Sequence, residues 1–174
     1  MIQILNFIFG IIKALFVKIF HIKKFKIKGI LKIHPSAQIV LLSGGNISLG
    51  NRCSIGKGTE IASVRGNVNI GNSVHIGDYC MIIARQNIEI GENTILGPHV
   101  YIYDHDHAID NNRIVKRSEY TTRQVIIGKN VWIGINTVIL KGTNIGDGCV
   151  IGAGSVISGI IPPYTKIIQK RINK

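Results

Sequence analysis

The run Ile127-Gly-Lys-Asn-Val-Trp132, Ile133-Gly-Ile-Asn-Thr-Val138, Ile139-Leu-Lys-Gly-Thr-Asn144, Ile145-Gly-Asp-Gly-Cys-Val150, Ile151-Gly-Ala-Gly-Ser-Val156 repeats one unit of six. An aliphatic residue leads, glycine often follows, and the residue four on is small. Working outward, the same phase can be written for Ile27, Ile33, Ile39; Leu49, Ile55, Ile61; Ile70, Ile76, Ile82; Ile90, Leu96, Ile102; Ile127, Ile133, Ile139; and Ile145, Ile151, Ile157. Within each triplet the step is six. Between triplets it is ten, nine, eight, twenty-five and six, so every additional residue enters after a third unit. Each triplet therefore reads as one turn of a three-sided parallel β coil, with about six coils and the insertions stacked on one edge. The small four-on residues (Ala37, Cys53, Thr59, Val74, Cys80 and their counterparts) suit corners, and glycine supplies backbone conformations that other residues resist. No segment after residue 26 holds a 3.6 period, so the expected class is all-β and helical or doubly wound folds are excluded.

A chain of 174 residues fits one domain that buries about 70% of its unfolded surface. The three cysteines, Cys53, Cys80 and Cys149, occupy the same place in their units and read as small buried hydrophobes. No disulfide framework or metal role is expected of them, and the cytoplasm is the natural compartment. The net charge of +12 belongs to the ends. Lys13, Lys18, Lys23, Lys24, Lys26, Lys28 and Lys32 stand in a stretch without an acid, and Lys166, Lys170, Arg171 and Lys174 close the chain.

Residues 1–26 read as an amphipathic basic helix, 27–161 as the coil with a loop at 103–126, and 162–174 as a basic tail. Gln3, Asn6, Gly10, Lys13, His21 and Lys24 mark a narrow polar stripe, broken at Val17, beside a wide apolar face. Lys13 and Lys18 interrupt a run that would need about 20 apolar residues to span a bilayer. No small-residue cleavage site follows, which argues against a secretory signal. Two readings stand: residues 1–32 lie on an anionic inner membrane face, making the protein peripheral there, or the helix packs on its own domain or on a sister subunit. Nucleic acid is not an expected partner, because the basic residues alternate with aliphatics and no aromatic platform accompanies them.

The repeat stops at Pro98-His-Val-Tyr-Ile-Tyr-Asp-His-Asp-His-Ala-Ile-Asp110 and restarts at Ile127. A repeating scaffold has no use for Asp104, His105, Asp106 and His107 together, so this loop is the candidate working part. The chain has no Walker-type loop or dinucleotide fingerprint; Gly44-Gly45 reads as a turn.

The units led by Ile127, Ile133, Ile145 and Ile151 resemble those of the hexapeptide-repeat acyltransferases over residues 27–163. That resemblance implies a left-handed β-helix. The segment from Pro98 to Asp110 resembles the active-site stretch of the galactoside, maltose and nodulation-factor acetyltransferases, in which the catalytic histidine lies nine residues after a proline. Here that residue is His107. The Asp-His-Asp-His wording is similar to the branch that O-acetylates sugars of surface polysaccharides.

The resemblance implies an acetyl-CoA-dependent transferase with no metal, a sugar or glycan acceptor, and a homotrimer whose sites lie between neighbouring copies. His107 is then the general base, with Asp104 or Asp106 to orient it, and His105 is the competing base or an acceptor contact. The oxyanion donor is the backbone N–H of Ile135, where the family usually has a smaller residue. Coenzyme A is expected along Gly134, Gly152, Ala153 and Ser158, with Trp132 lining the channel and Arg171 near the nucleotide phosphates. Arg85 and Tyr79 fall where relatives contact the acceptor. Departures are Ser158-Gly159 in place of a Thr-Lys-like pair and the loss of the usual Gly-x-Pro-Ala-Lys-like C-terminal stretch. Three alternatives stay open: N-acetylation of an amino-sugar nucleotide, a γ-class carbonic-anhydrase-like metal site built from His75, His99, His105 and His107, and a non-catalytic repeat protein.

Overall fold

The computed structural model describes residues 8–10, 12 and 23–168. From Phe25 onward the chain winds a parallel coil with three flat faces. The first face stacks Phe25–Ile27, Asn46–Leu49, Asn67–Ile70, Asn87–Ile90, Val125–Ile127, Asn144–Ile145 and Ile160–Ile161. The second stacks Leu31–Ile33, Cys53–Ile55, His75–Ile76, Ile95–Leu96, Trp132–Ile133, Val150–Ile151 and Lys166–Ile167. The third stacks Gln38–Leu42, Glu60–Val64, Met81–Ala84, Tyr101–Tyr103, Val138–Ile139 and Val156–Ile157.

The pairing register is the repeat phase made physical. Ile27 pairs with Leu49, Leu49 with Ile70, and Ile70 with Ile90, and the column continues through Ile127 and Ile145. Each leading aliphatic thus sits on the one before it and points into a single continuous core. Burying such an isoleucine stabilises by about 1.5–3 kcal/mol. Ile27 and Ile39 in the first coil, and Ile161 and Ile167 in the last, are only partly buried. The coil also runs further than the repeat suggests, since Lys166–Ile167 pairs with Val150–Ile151 inside the stretch read as a tail.

The small four-on residues line the corners and are buried. Their chemistry is shared: the hydroxyls of Thr59 and Thr94 donate to Gly77 O (2.7 Å) and Gly128 O (2.9 Å) one coil on. The thiols of Cys53, Cys80 and Cys149 do the same to Gly71 O (3.0 Å), Gly97 O (3.2 Å) and Pro162 O (3.1 Å). All three cysteines are free. Burial pushes the Cys53 thiol up and that of Cys80 to about 11, which leaves them inert donors near neutral pH. The residue before each of these, Ala37 excepted, takes the left-handed conformation, as at Asn93 (φ 58°), Asn130 (φ 55°) and Asn136 (φ 57°). Asparagine tolerates that region, and Tyr79 and His99 (both φ 56°) are held there by stacking on each other at 5.3 Å.

At the N-terminal end residues 8–10 and 12 are helical. Gly10 is buried against the carbonyl of Ile33, an approach that leaves no room for a Cβ. The rest of the segment read as a helix, residues 1–7, 11 and 13–22, lies outside the described residues.

Candidate active site

After Tyr101–Tyr103 the chain leaves the third face as His105–Ile109, turns, returns as Val115–Thr122 antiparallel to it, and rejoins the first face at Val125. The loop is therefore a hairpin standing on the edge between those faces. Asp110 closes its tip: Oδ1 accepts the N–H groups of Asn112 (3.0 Å) and Ile114 (2.9 Å), and Oδ2 pairs with Lys116 Nζ at 3.0 Å. The Ile114 N–H, the Lys116 ammonium and the Asn112 N–H together hold its carboxyl below the ordinary value. His105 faces Thr122, Asp106 faces Thr121 and His107 faces Tyr120; then the register jumps, and Ala108 faces Lys116. The extra residues 117–119 form a bulge beside His107, and bulges re-aim neighbouring side chains.

The histidines have different surroundings. His105 has a side chain 12% exposed, and its Nδ1 lies 3.1 Å from Oδ1 of Asp104. Asp104 is fully buried and also accepts three consecutive backbone N–H groups from the coil below: Arg85 (2.8 Å), Gln86 (2.7 Å) and Asn87 (2.8 Å). His107 is exposed, and its Nδ1 lies 3.2 Å from the carbonyl of Lys116. That acceptor places the proton on Nδ1 and leaves Nε2 with a free lone pair. The two expected orienting carboxylates are engaged elsewhere, Asp104 with His105 and Asp106 with Lys141 Nζ at 2.8 Å. A backbone carbonyl takes that place because the bulge brings Lys116 level with His107. Arg85, expected as an acceptor contact, lies over the ring of Tyr120 at 3.5 Å. The sequence reading missed Tyr120, Lys116 and Lys141, whose positions depend on hairpin pairing and coil stacking.

A second group lies at the corner between the second and third faces. Where the chain enters that corner, Lys57 N–H donates to Asp78 Oδ1 at 2.7 Å, and the equivalent Lys129 N–H at the preceding corner donates to Asp147 Oδ1 at 2.7 Å. The residue one coil beyond Ile135 is Ala153, which has no side-chain acceptor. Among the described residues nothing accepts the Ile135 N–H, and Ile135 is 43% exposed. Gly134 lies so close to Ala153 that a Cβ would come within 2.6 Å of its nitrogen, and Gly152 continues the same glycine column. Trp132 points outward from the second face, 56% exposed, between Ile95 and Val150. Tyr79 belongs to this corner as well. Ser158 does not: it follows Ile157 on the third face and lies above the hairpin edge. Arg171 lies outside the described residues.

The four histidines of the metal alternative are dispersed. His75 contacts Ser54 and His99 stacks on Tyr79, away from the hairpin pair. Among the described residues no three His, Cys, Asp or Glu side chains are placed to hold a metal ion.

Comparison with known proteins agrees with the geometry. Residues 124–159 match the family described as bacterial transferase hexapeptide (six repeats). No curated protein matches the sequence. Among solved structures, AntD, an N-acyltransferase from Bacillus cereus in complex with dTDP and 3-hydroxybutyryl-CoA, is similar with a TM-score of 0.74 and 23% identity, over 88% of this chain and 83% of that one. A variant of AntD with dTDP-4-amino-4,6-dideoxyglucose and coenzyme A gives 0.75 and 21%, over 90% and 86%. PerB from Caulobacter crescentus, in complex with coenzyme A and GDP-perosamine, gives 0.50 and 19%, over 82% and 55%. Residues 124–159 thus match the hexapeptide-repeat model, and the coil as a whole shares its β-helix fold with AntD.

Proposed function

We propose that the protein is an acyltransferase that moves an acetyl group from acetyl-CoA to a sugar hydroxyl, in the building of a surface polysaccharide. The observation that carries this reading is His107, exposed at a bulge on the one long outgrowth of the coil, with Nδ1 held by a carbonyl and Nε2 free. In the reaction Nε2 takes the hydroxyl proton as the oxygen attacks the thioester carbonyl. The Ile135 N–H stabilises the oxyanion, and collapse expels the thiolate of coenzyme A, which recovers the proton from His107. Gly134, Gly152 and Ala153 border the path of the pantetheine arm, Trp132 flanks it, and Ser158 and Arg171 are further contacts proposed for the cofactor. Tyr79 and Arg85 are proposed on the acceptor side.

His107 and Ile135 stand on different edges of one prism, roughly 15–20 Å apart at six residues per side and ~3.3 Å per extended residue. A homotrimer places the hairpin edge of one copy beside the other corner of the next. The exposed lysines from Lys23 to Lys32, with no acid before Glu60, fit a peripheral site on an anionic inner membrane face.

Two variants of this reading have their own support. His105 is a second candidate base because a buried carboxylate holds its Nδ1. An amine acceptor is a second substrate class, since AntD and PerB are crystallised with sugar nucleotides and the same base serves an amine. The test is free-thiol release from acetyl-CoA with a panel of nucleotide sugars, amino-sugar nucleotides and glycans. His107→Ala is expected to lower the rate on the order of 10²–10⁴-fold while His105→Ala keeps most of it. Loss with His105→Ala alone assigns the base to His105, and turnover only with amino sugars replaces the hydroxyl.

A further inference from the structure

We infer that Tyr120 is a positioning residue for the two histidines, held in place by the Arg85 guanidinium stacked on its ring; this rests on the reading of the hairpin as an active site. Tyr120 faces His107 across the hairpin, with ring centroids 4.7 Å apart and planes tilted by 37°. It also meets His105 in a T-shaped contact, with centroids 5.5 Å apart. One aromatic ring therefore touches both candidate bases. Among the described residues its hydroxyl has only a long contact, 3.4 Å to Arg117 O. The plane, rather than the phenol, is what the arrangement uses.

Arg85 comes from the coil below, where its own N–H is tied to Asp104. Its Cζ stands 3.5 Å from the Tyr120 ring centroid, and its buried Nε has no hydrogen-bond partner among the described residues. Leaving that donor unsatisfied is unfavourable, and the stacked cation–π contact is the interaction that offsets it. The coil thus reaches past the hairpin base and fixes a ring on the strand opposite the histidines. A histidine on a two-stranded hairpin has few neighbours to restrain its χ angles, and a misplacement of about 1 Å can cost 10²-fold in rate.

The experiment compares Tyr120→Leu, Tyr120→Phe, Arg85→Met and the double variant Arg85→Met/Tyr120→Leu in the thiol-release assay. Tyr120→Leu is expected to lower kcat about 10- to 100-fold with KM for acetyl-CoA within about twofold of wild type. Tyr120→Phe restores most of the rate. Arg85→Met lowers kcat in the same sense, and the double variant is no worse than Tyr120→Leu, as expected for residues that act through one contact. The inference is overturned if Tyr120→Leu keeps wild-type kcat, if it changes KM alone, or if only the hydroxyl matters and Tyr120→Phe fails. If His107→Ala and His105→Ala are both fully active, the active-site reading itself falls; if one of them is inactive while Tyr120→Leu is not, only the positioning role falls.

Discussion

Asp104 joins the coil to the hairpin. As the first carboxylate of an Asp-His-Asp-His run it reads as an orienting group for His107, yet its oxygens take three backbone N–H groups of the coil below and the Nδ1 of His105. The sequence places it in the right cluster but does not reveal the three N–H partners, because they lie 17 to 19 residues back along the chain. Each buried donor left unsatisfied costs about 1–3 kcal/mol. Asp104→Ala is therefore expected to destabilise the protein by about 3 kcal/mol or more, lowering Tm by roughly 6–12 °C. Thermal and urea unfolding check this, and a loss below about 1 kcal/mol contradicts the account. For the same reason an Asp104 variant cannot separate catalysis from folding, and the histidines carry the functional test.

At the scale of elements the repeat phase is legible, while the hairpin is not. All six triplets occupy the faces that the spacing gives them, since an aliphatic every six residues can pack inward only if each triplet closes one turn. The last coil escaped because Ile161 follows Ile157 by four residues instead of six. The points where the chain leaves and rejoins the coil, near Ile102 and Ile127, follow from the phase. The pairing of His107 with Tyr120 does not, because it depends on a bulge that skips residues 117–119. The tip of this element has its own pH response. The folded Asp110 carboxyl lies below its unfolded value of about 3.9, so its contribution is present above that pH and is lost as pH falls through the lower folded value. The amide resonances of Asn112 and Ile114 should hold steady from about pH 5 to 8 and shift only below about pH 4. Unchanged resonances down to pH 2, or a transition above pH 5, would contradict the Asp110 closure.

The whole molecule has two ends of different character and three edges of different use. Toward the first end Lys23, Lys24, Lys26, Lys28 and Lys32 are exposed, and so are Ile8, Phe9, Ile12 and Ile30. If that end rests on an anionic bilayer, full-length protein should float with phosphatidylserine vesicles at low salt, and a chain lacking residues 1–26 should not. Equal flotation of the two would count against it. On the proposed reading the edges matter more, because the histidines and the Ile135 N–H stand on separate ones and would meet at one thioester only across two copies. We propose that a functional site takes two copies, each supplying one half. The direct test is to co-express His107→Ala and Ile135→Pro chains and assay the purified mixed assemblies, proline having no N–H to donate. With each parent assembly inactive, random mixing in a trimer should restore about one quarter of the wild-type rate, the share of interfaces that pair an intact histidine with an intact amide. Mixed trimers no more active than either parent would contradict the shared site.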